Sequence, residues 1–144
     1  MAKLTFDRRG IKVLSANLEK ANIITTRAGA QKLRDIATNI MSESAVEVPR
    51  DSETLANSGY IEGPTHKEGS VKVSLGYGGT NDQVNPKTGK RASDYMVAVH
   101  ERIDAKHPIG KAKFLEDPVM RNAEHVGPEL GEALTNILKR TFRR

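Results

Sequence analysis

The 144-residue chain contains no cysteine. That absence removes disulfide staples, thiolate metal ligands and cysteine nucleophiles from consideration. Tryptophan is missing too, and three Tyr and three Phe are the whole aromatic complement. A core made from this chain rests on Ile, Leu, Val, Met and Ala with few large anchors, so neighbouring subunits are expected to complete its stability. No apolar run approaches a membrane span, and the opening Met1-Ala2-Lys3-Leu4-Thr5-Phe6-Asp7-Arg8-Arg9 lacks the apolar centre of a signal peptide. The expectation is a protein made in the cytoplasm with no membrane partner.

What is present fits one soluble domain over residues 1–144. Hydrophobic residues make up 37% and charged residues 28%, a balance that buries a core and keeps a wet surface. The formal net charge is +5. Such a surface either attracts a polyanion or is simply solvated, and the two signs are interspersed through most of the chain. The end differs: Lys139, Arg140, Arg143 and Arg144 have no acid beside them.

Apolar spacing organises both ends of the chain. Ile11, Leu14, Leu18 and Ala21 predict a short first helix, with Thr25 or Thr26 capping the next. Leu33, Ile36, Ala37, Ile40, Met41, Ala45 and Val48 then form a stripe at steps of three and four, a long amphipathic helix stopped by Pro49. Leu55 to Glu62 reads as extended, followed by turn signals at Pro64 and Gly69. Val71, Val73, Leu75 and Tyr77 alternate with polar or small residues, as in a half-buried strand. Gly78 to Ser93 has no apolar periodicity and reads as a long exposed loop. Tyr95 to His100 fits a third strand or a short helix. Asp117-Pro118 resembles an N-cap and first turn, Gly127-Pro128 is expected to interrupt, and Leu130, Leu134, Ile137 and Leu138 mark a last helix. This order predicts an α+β fold: a long N-terminal amphipathic helix, a small antiparallel sheet with a long exposed loop, and C-terminal helices.

Catalytic motifs are incomplete. Pro86-Lys87-Thr88-Gly89-Lys90 looks like part of a phosphate loop, but Val84 stands where the first glycine is needed and Arg91 where Ser or Thr is needed. His100-Glu101 opens a zincin-like pattern, but its second histidine position holds Asp104, and His107 lies too far along. The spacing of His66, His100, His107 and His125 demands no metal, and a hydrogen-bonded structural role is the plainer reading. No serine stands in a nucleophile elbow, and Asp51 and Glu53 lie where turn chemistry accounts for them. The expectation is a non-enzyme with no cofactor and no metal.

Three junctions carry a family resemblance. They are Val48-Pro49-Arg50-Asp51-Ser52-Glu53-Thr54-Leu55-Ala56-Asn57-Ser58, Tyr95-Met96-Val97-Ala98-Val99-His100-Glu101, and His107-Pro108-Ile109-Gly110-Lys111-Ala112-Lys113-Phe114-Leu115-Glu116. Their order and spacing, from about Ala30 to Leu138, resemble the tail-completion or head–tail joining family of tailed bacteriophages, also described as neck or minor capsid proteins. Three positions depart from that family: Glu53 and Ile103 stand where it often has Gly, and Lys113 where it often has Pro.

The resemblance implies a wedge-like structural subunit of the virion that closes into a homo-oligomeric ring, commonly a hexamer, between head and tail. Its implied partners are copies of itself, neighbouring neck and portal-side proteins, and the tail tube or terminator. The implied contact segments are the Gly78–Ser93 loop and Arg102–Lys113, with Asn81, Asn85, Lys87, Lys90, Arg91, Arg102, Lys106 and His107 as candidate contact residues. A ring lumen would also see packaged DNA. Lys87, Lys90 and Arg91, or Lys139, Arg140, Arg143 and Arg144, are the candidates to meet its phosphates without reading sequence. A small basic protein that binds DNA phosphates and has no virion role is the alternative.

Overall fold

In the computed structural model, which describes residues 8–67 and 69–143, the sequence from Arg8 to Glu47 forms a single 40-residue helix, α1. At 1.5 Å per residue it is about 60 Å long. The expected break before Thr25 does not occur. The Thr25 hydroxyl donates to the Ala21 carbonyl at 2.8 Å, one turn back, so it is satisfied inside the helix rather than as a cap. Pro49 does end the helix as expected, and the Val48 amide closes the last turn on the Ser44 carbonyl at 2.8 Å.

The remaining elements are α2 (Thr54–Asn57), β1 (Gly59–Lys67), β2 (Ser70–Tyr77), a 3-10 turn (Gly79–Asn81), α3 (Ala92–Glu101) and α4 (Glu116–Thr141). The fold is α+β, with a two-stranded antiparallel sheet. Gly59 lies opposite Tyr77 and Lys67 opposite Ser70, with a bulge between Glu62 and Thr65. The alternation from Val71 to Tyr77 is a strand as read. The stretch from Leu55 is not extended at its start: Thr54–Asn57 make one helical turn that buries Leu55, and the strand begins at Gly59. The Tyr95 run is a helix, not a third strand.

The core gathers where the sheet, α3 and the start of α4 meet the C-terminal end of α1. Val48, Leu55, Tyr77, Ala92 and Phe114 are its buried centre, with Met41, Tyr95, Met96 and Val99 packed around them. Phe114 meets the Tyr77 ring edge-on at 5.2 Å and the His100 ring at 5.0 Å. Ser44, fully buried on α1, hydrogen-bonds the Tyr77 hydroxyl at 2.9 Å, which satisfies two polar groups that water cannot reach.

α4 runs antiparallel to α1 and continues through Gly127-Pro128, where an interruption was expected. Pro128 and Glu124, one turn before it, lie on the exposed face, so the carbonyl left without an amide partner is beside water. Asp117 is not the N-cap: Leu115 holds that position without a side-chain bond, and Asp117 sits in the first turn, paired with Lys111. Pro118 falls in that first turn, as the sequence predicts. No helix among the described residues is long and apolar enough to cross a membrane.

Ion pairs hold the long helices in register. Arg121 reaches Glu43 at 2.9 Å and Glu47 at 2.7 Å, and Lys32 reaches Glu129 at 2.7 Å. Hydrogen bonds from Asn122 and Arg121 hold the Glu43 carboxyl below its ordinary range, and Lys111 does the same for Asp117. Folded-state values lowered in this way add stability above the ordinary carboxylate range, and that stability is lost as pH falls through the folded values. The melting temperature followed by circular dichroism should therefore drop as pH falls below about 4. Glu43→Gln should lower the melting temperature at neutral pH and flatten the acid slope. Because these groups are exposed and solvent screens them, the change is modest; an unaltered slope would remove Glu43 from this account.

Candidate functional site

Four segments far apart in sequence converge beside the C-terminal end of α1 to form an open cleft of roughly 520 Å³. Pro49 follows α1 and Leu55 comes from α2, Tyr95 and Val99 from α3, Lys90 from the loop before α3, and Lys106, His107 and Pro108 from the segment after it. Each wall has a local cause. The loop is folded by Asn85, whose carbonyl accepts the Gly89 amide at 2.8 Å and whose side chain accepts the Lys87 amide at 2.9 Å. A bridge between Val84 and Arg91 closes it. Lys87 ties it to the turn after α1 by bonds to the Asp51 carboxylate at 3.2 Å and the Asp51 carbonyl at 3.1 Å.

Gly110 anchors the opposite wall with φ at 89°, so close to α1 that a Cβ would stand 2.6 Å from the backbone of Val48 and Pro49. Only glycine fits there without displacement. The next amide, that of Lys111, donates to the Glu47 carbonyl at 2.9 Å.

Two polar atoms of residues lining the cleft have neither a partner nor solvent: the Tyr95 hydroxyl and His107 Nε2. Groups of this kind cost about 1–3 kcal/mol each when left unsatisfied. Lys90 and Lys106 are exposed at the rim and make no ion pair among the described residues. Asp51, the acid in the lining, is already paired with Lys87.

The structure divides the expected contact residues. Lys90, Lys106, His107 and Asn85 meet at this cleft, although Asn85 is 7% exposed and organises its turn rather than offering a surface. The Gly78–Ser93 segment is the long exposed loop expected, with Asn85 and Ala92 buried within it and a 3-10 turn at Gly79–Asn81. Its order comes from side-chain–backbone bonds that leave no periodicity in the sequence. Asn81 is exposed and donates to the Asn57 carbonyl at 2.7 Å, which ties the loop to the end of α2. Arg91 pairs weakly with Asp82 at 3.7 Å, and Arg102 with Asp104 at 3.5 Å, both on the surface. Lys139, Arg140 and Arg143 sit at the far end of α4, where Lys20 of α1 lies over the Phe142 ring. Arg144 lies outside the described residues. From Lys20 to Glu47 along α1 is about 40 Å, so the two basic clusters do not form one face.

A second constellation was invisible in the sequence. The backbone amide of Glu116, which can only donate, points at His100 Nε2 at 3.2 Å. That nitrogen must therefore accept, and Nδ1 carries the proton and donates to Glu101 at 2.8 Å. His100 thus satisfies an orphan amide at the start of α4. His100, Glu101 and Glu116 offer ligand atoms within 4.8 Å of one another, the geometry of a cation site. The cation there is the Lys113 ammonium, 2.5 Å from Glu101 and 2.8 Å from Glu116. Lys113 and His100 together keep the Glu101 carboxyl below its ordinary range. The cluster reads as a clamp joining α3 to α4. The chain matches no protein-family model, no curated protein and no solved structure.

Proposed function

We propose that the chain is a structural subunit of a tailed-phage virion, made in the host cytoplasm, that closes into a ring in the neck and joins head to tail. The observation that carries the assembly is the first part of α1. Lys20 is the point at which α1 meets the end of α4, and residues 8–19 run on for about 18 Å more. Ile11, Leu14 and Leu18 share one face of that extension and are 52%, 59% and 61% exposed. The face continues the stripe that packs against α4, through half-buried Ala21 and Thr25, and is exposed among the described residues, as an apolar contact face is. A neighbouring copy is the occupant that a ring supplies to every subunit in turn.

The neck assignment rests on the ordered junctions around Pro49, Tyr95–Glu101 and Phe114–Leu115. One departure from the resembling family fits it physically. Glu53 adopts φ of 57°, a left-handed conformation that the glycine common at that position takes without strain. Another marks a local difference. Lys113 has φ of 58°, which a proline cannot reach, so the step into α4 is shaped differently here.

The test compares wild type with Leu14→Asp/Leu18→Asp by light scattering and negative-stain imaging, alone and with phage heads and tails. Wild type should form rings or decorate particles, and the double variant should do neither. Because both side chains are exposed, its melting should match that of a monomeric wild type at high dilution. Undiminished rings in the variant, or a wild type that stays monomeric and binds no particle, would overturn the proposal. DNA binding that falls steeply with salt, without particle association, would favour the phosphate-binding alternative.

A further inference from the structure

We infer that the cleft between the turn after α1 and the Lys106–Pro108 segment binds an acidic peptide segment that brings one apolar side chain beside a carboxylate. The size is right, since roughly 520 Å³ lies within the range of ligand-binding clefts and holds a few side chains. Pro49, Leu55, Val99 and Pro108 give it an apolar lining. At the rim the unmatched charge is positive: Lys90 and Lys106 are unpaired among the described residues, while Asp51 has Lys87 beside it at 3.2 Å. A carboxylate between the two ammonium groups would meet a complementary field.

The Tyr95 hydroxyl and His107 Nε2 point to a peptide rather than a free organic acid. Both atoms are shielded and unpartnered. Hydroxyl and imidazole each both donate and accept, and a peptide backbone offers N–H and C=O side by side, whereas a carboxylate offers acceptors alone. The Arg102–Pro108 segment runs from α3, where the Arg102 amide donates to the Ala98 carbonyl at 3.1 Å, to the Gly110 contact with α1. Gly110 and Lys111 fix it to α1, and from Arg102 to Ala105 its backbone bonds are short turns back to Ala98, Glu101 and Arg102. Binding would have to bring both atoms within reach of the ligand, and pairing them recovers the free energy that leaving them unpartnered forgoes. Nucleic acid is the poorer fit. A phosphate would satisfy the lysines but has no use for the apolar lining, and the two rings at the cleft, Tyr95 and His107, are half-buried and offer no open stacking platform.

The experiment is an amide-resolved NMR titration of the full chain with four probes: an acetylated, amidated Leu-Asp-Phe-Glu tetrapeptide, its Leu-Lys-Phe-Lys counterpart, hexanoate and inorganic phosphate. The acidic peptide should shift the signals of Lys90, Tyr95, Val99 and His107 saturably, with a Kd of about 1 mM or tighter. Lys90→Glu/Lys106→Glu should weaken it by about tenfold or more. Tyr95→Phe should weaken it several-fold while melting is unchanged, which a merely structural tyrosine would not do. Absence of saturable shifts up to about 5 mM, shifts centred on Lys139–Arg143, or affinity indifferent to the double charge reversal would each overturn the inference. Equal affinity for hexanoate or phosphate would overturn the peptide assignment in favour of a small anion. The inference does not depend on the neck reading: loss of ring formation with cleft binding intact would count against that reading alone.

Discussion

Phe114→Ala is expected to remove about 3–5 kcal/mol of folding stability, a large share of what a domain of this size possesses. Phe114 is 1% exposed and is the largest fully buried side chain among the described residues. The sequence supplies six aromatic residues in all, so no second large ring stands ready to fill the space. Its ring is the surface on which Tyr77 from the sheet and His100 from α3 both rest edge-on. Removing it leaves a cavity at the meeting point of the sheet, α3 and the start of α4, and takes away the ring against which Tyr77 and His100 pack. Urea denaturation followed by circular dichroism measures the loss, and Phe114→Leu should recover part of it. A loss under about 1 kcal/mol would mean that the core closes over the gap and that Phe114 does not hold these elements together.

Gly110→Ala should destabilise by about 3 kcal/mol or more, unusual for a single methyl on an exposed loop residue. Two costs add. The φ of 89° disfavours any side chain, and the new Cβ would lie 2.6 Å from Val48 and Pro49 backbone atoms that cannot swing aside. Relief requires residues 105–113 to lift from α1, which breaks the Lys111–Glu47 backbone bond and pulls the Lys111 ammonium from between Glu47 and Asp117. Gly89→Ala is the control. Its φ of 70° is also positive, but nothing lies within 4 Å of the added carbon, so only the conformational cost of about 1 kcal/mol applies. Equal effects for the two variants would show that the segment does not pack on α1 as described.

The parts of the fold that were legible in the sequence are those where burial leaves a period. Ile36, Ala37 and Ile40 announced the buried face of α1, and Val71 to Tyr77 announced β2. Errors fell where a local signal competes with tertiary context. Thr25 carries the side chain of a cap, yet its hydroxyl is satisfied one turn back within the helix. Gly127-Pro128 has the composition of a break, yet its strain faces water. The loop after β2 was read correctly as exposed, but its internal order was not legible, because Asn81, Asp82 and Asn85 fold it through hydrogen bonds to the backbone. Of the cleft, Lys90, Lys106 and His107 were nameable as exposed polar candidates. Tyr95 and Leu55 were visible only as apolar positions, because the cleft exists through the meeting of segments that lie up to sixty residues apart.

That α1 runs from Arg8 to Glu47 without a break has a mechanical consequence. The exposed face at its start and the cleft at its end ride on one stiff lever, braced over much of its length by α4. A tilt of about 10° imposed on the first turns would carry the cleft end sideways by about 9 Å over the roughly 54 Å from Ile11 to Glu47. Whatever seats the extension therefore also sets where the cleft points.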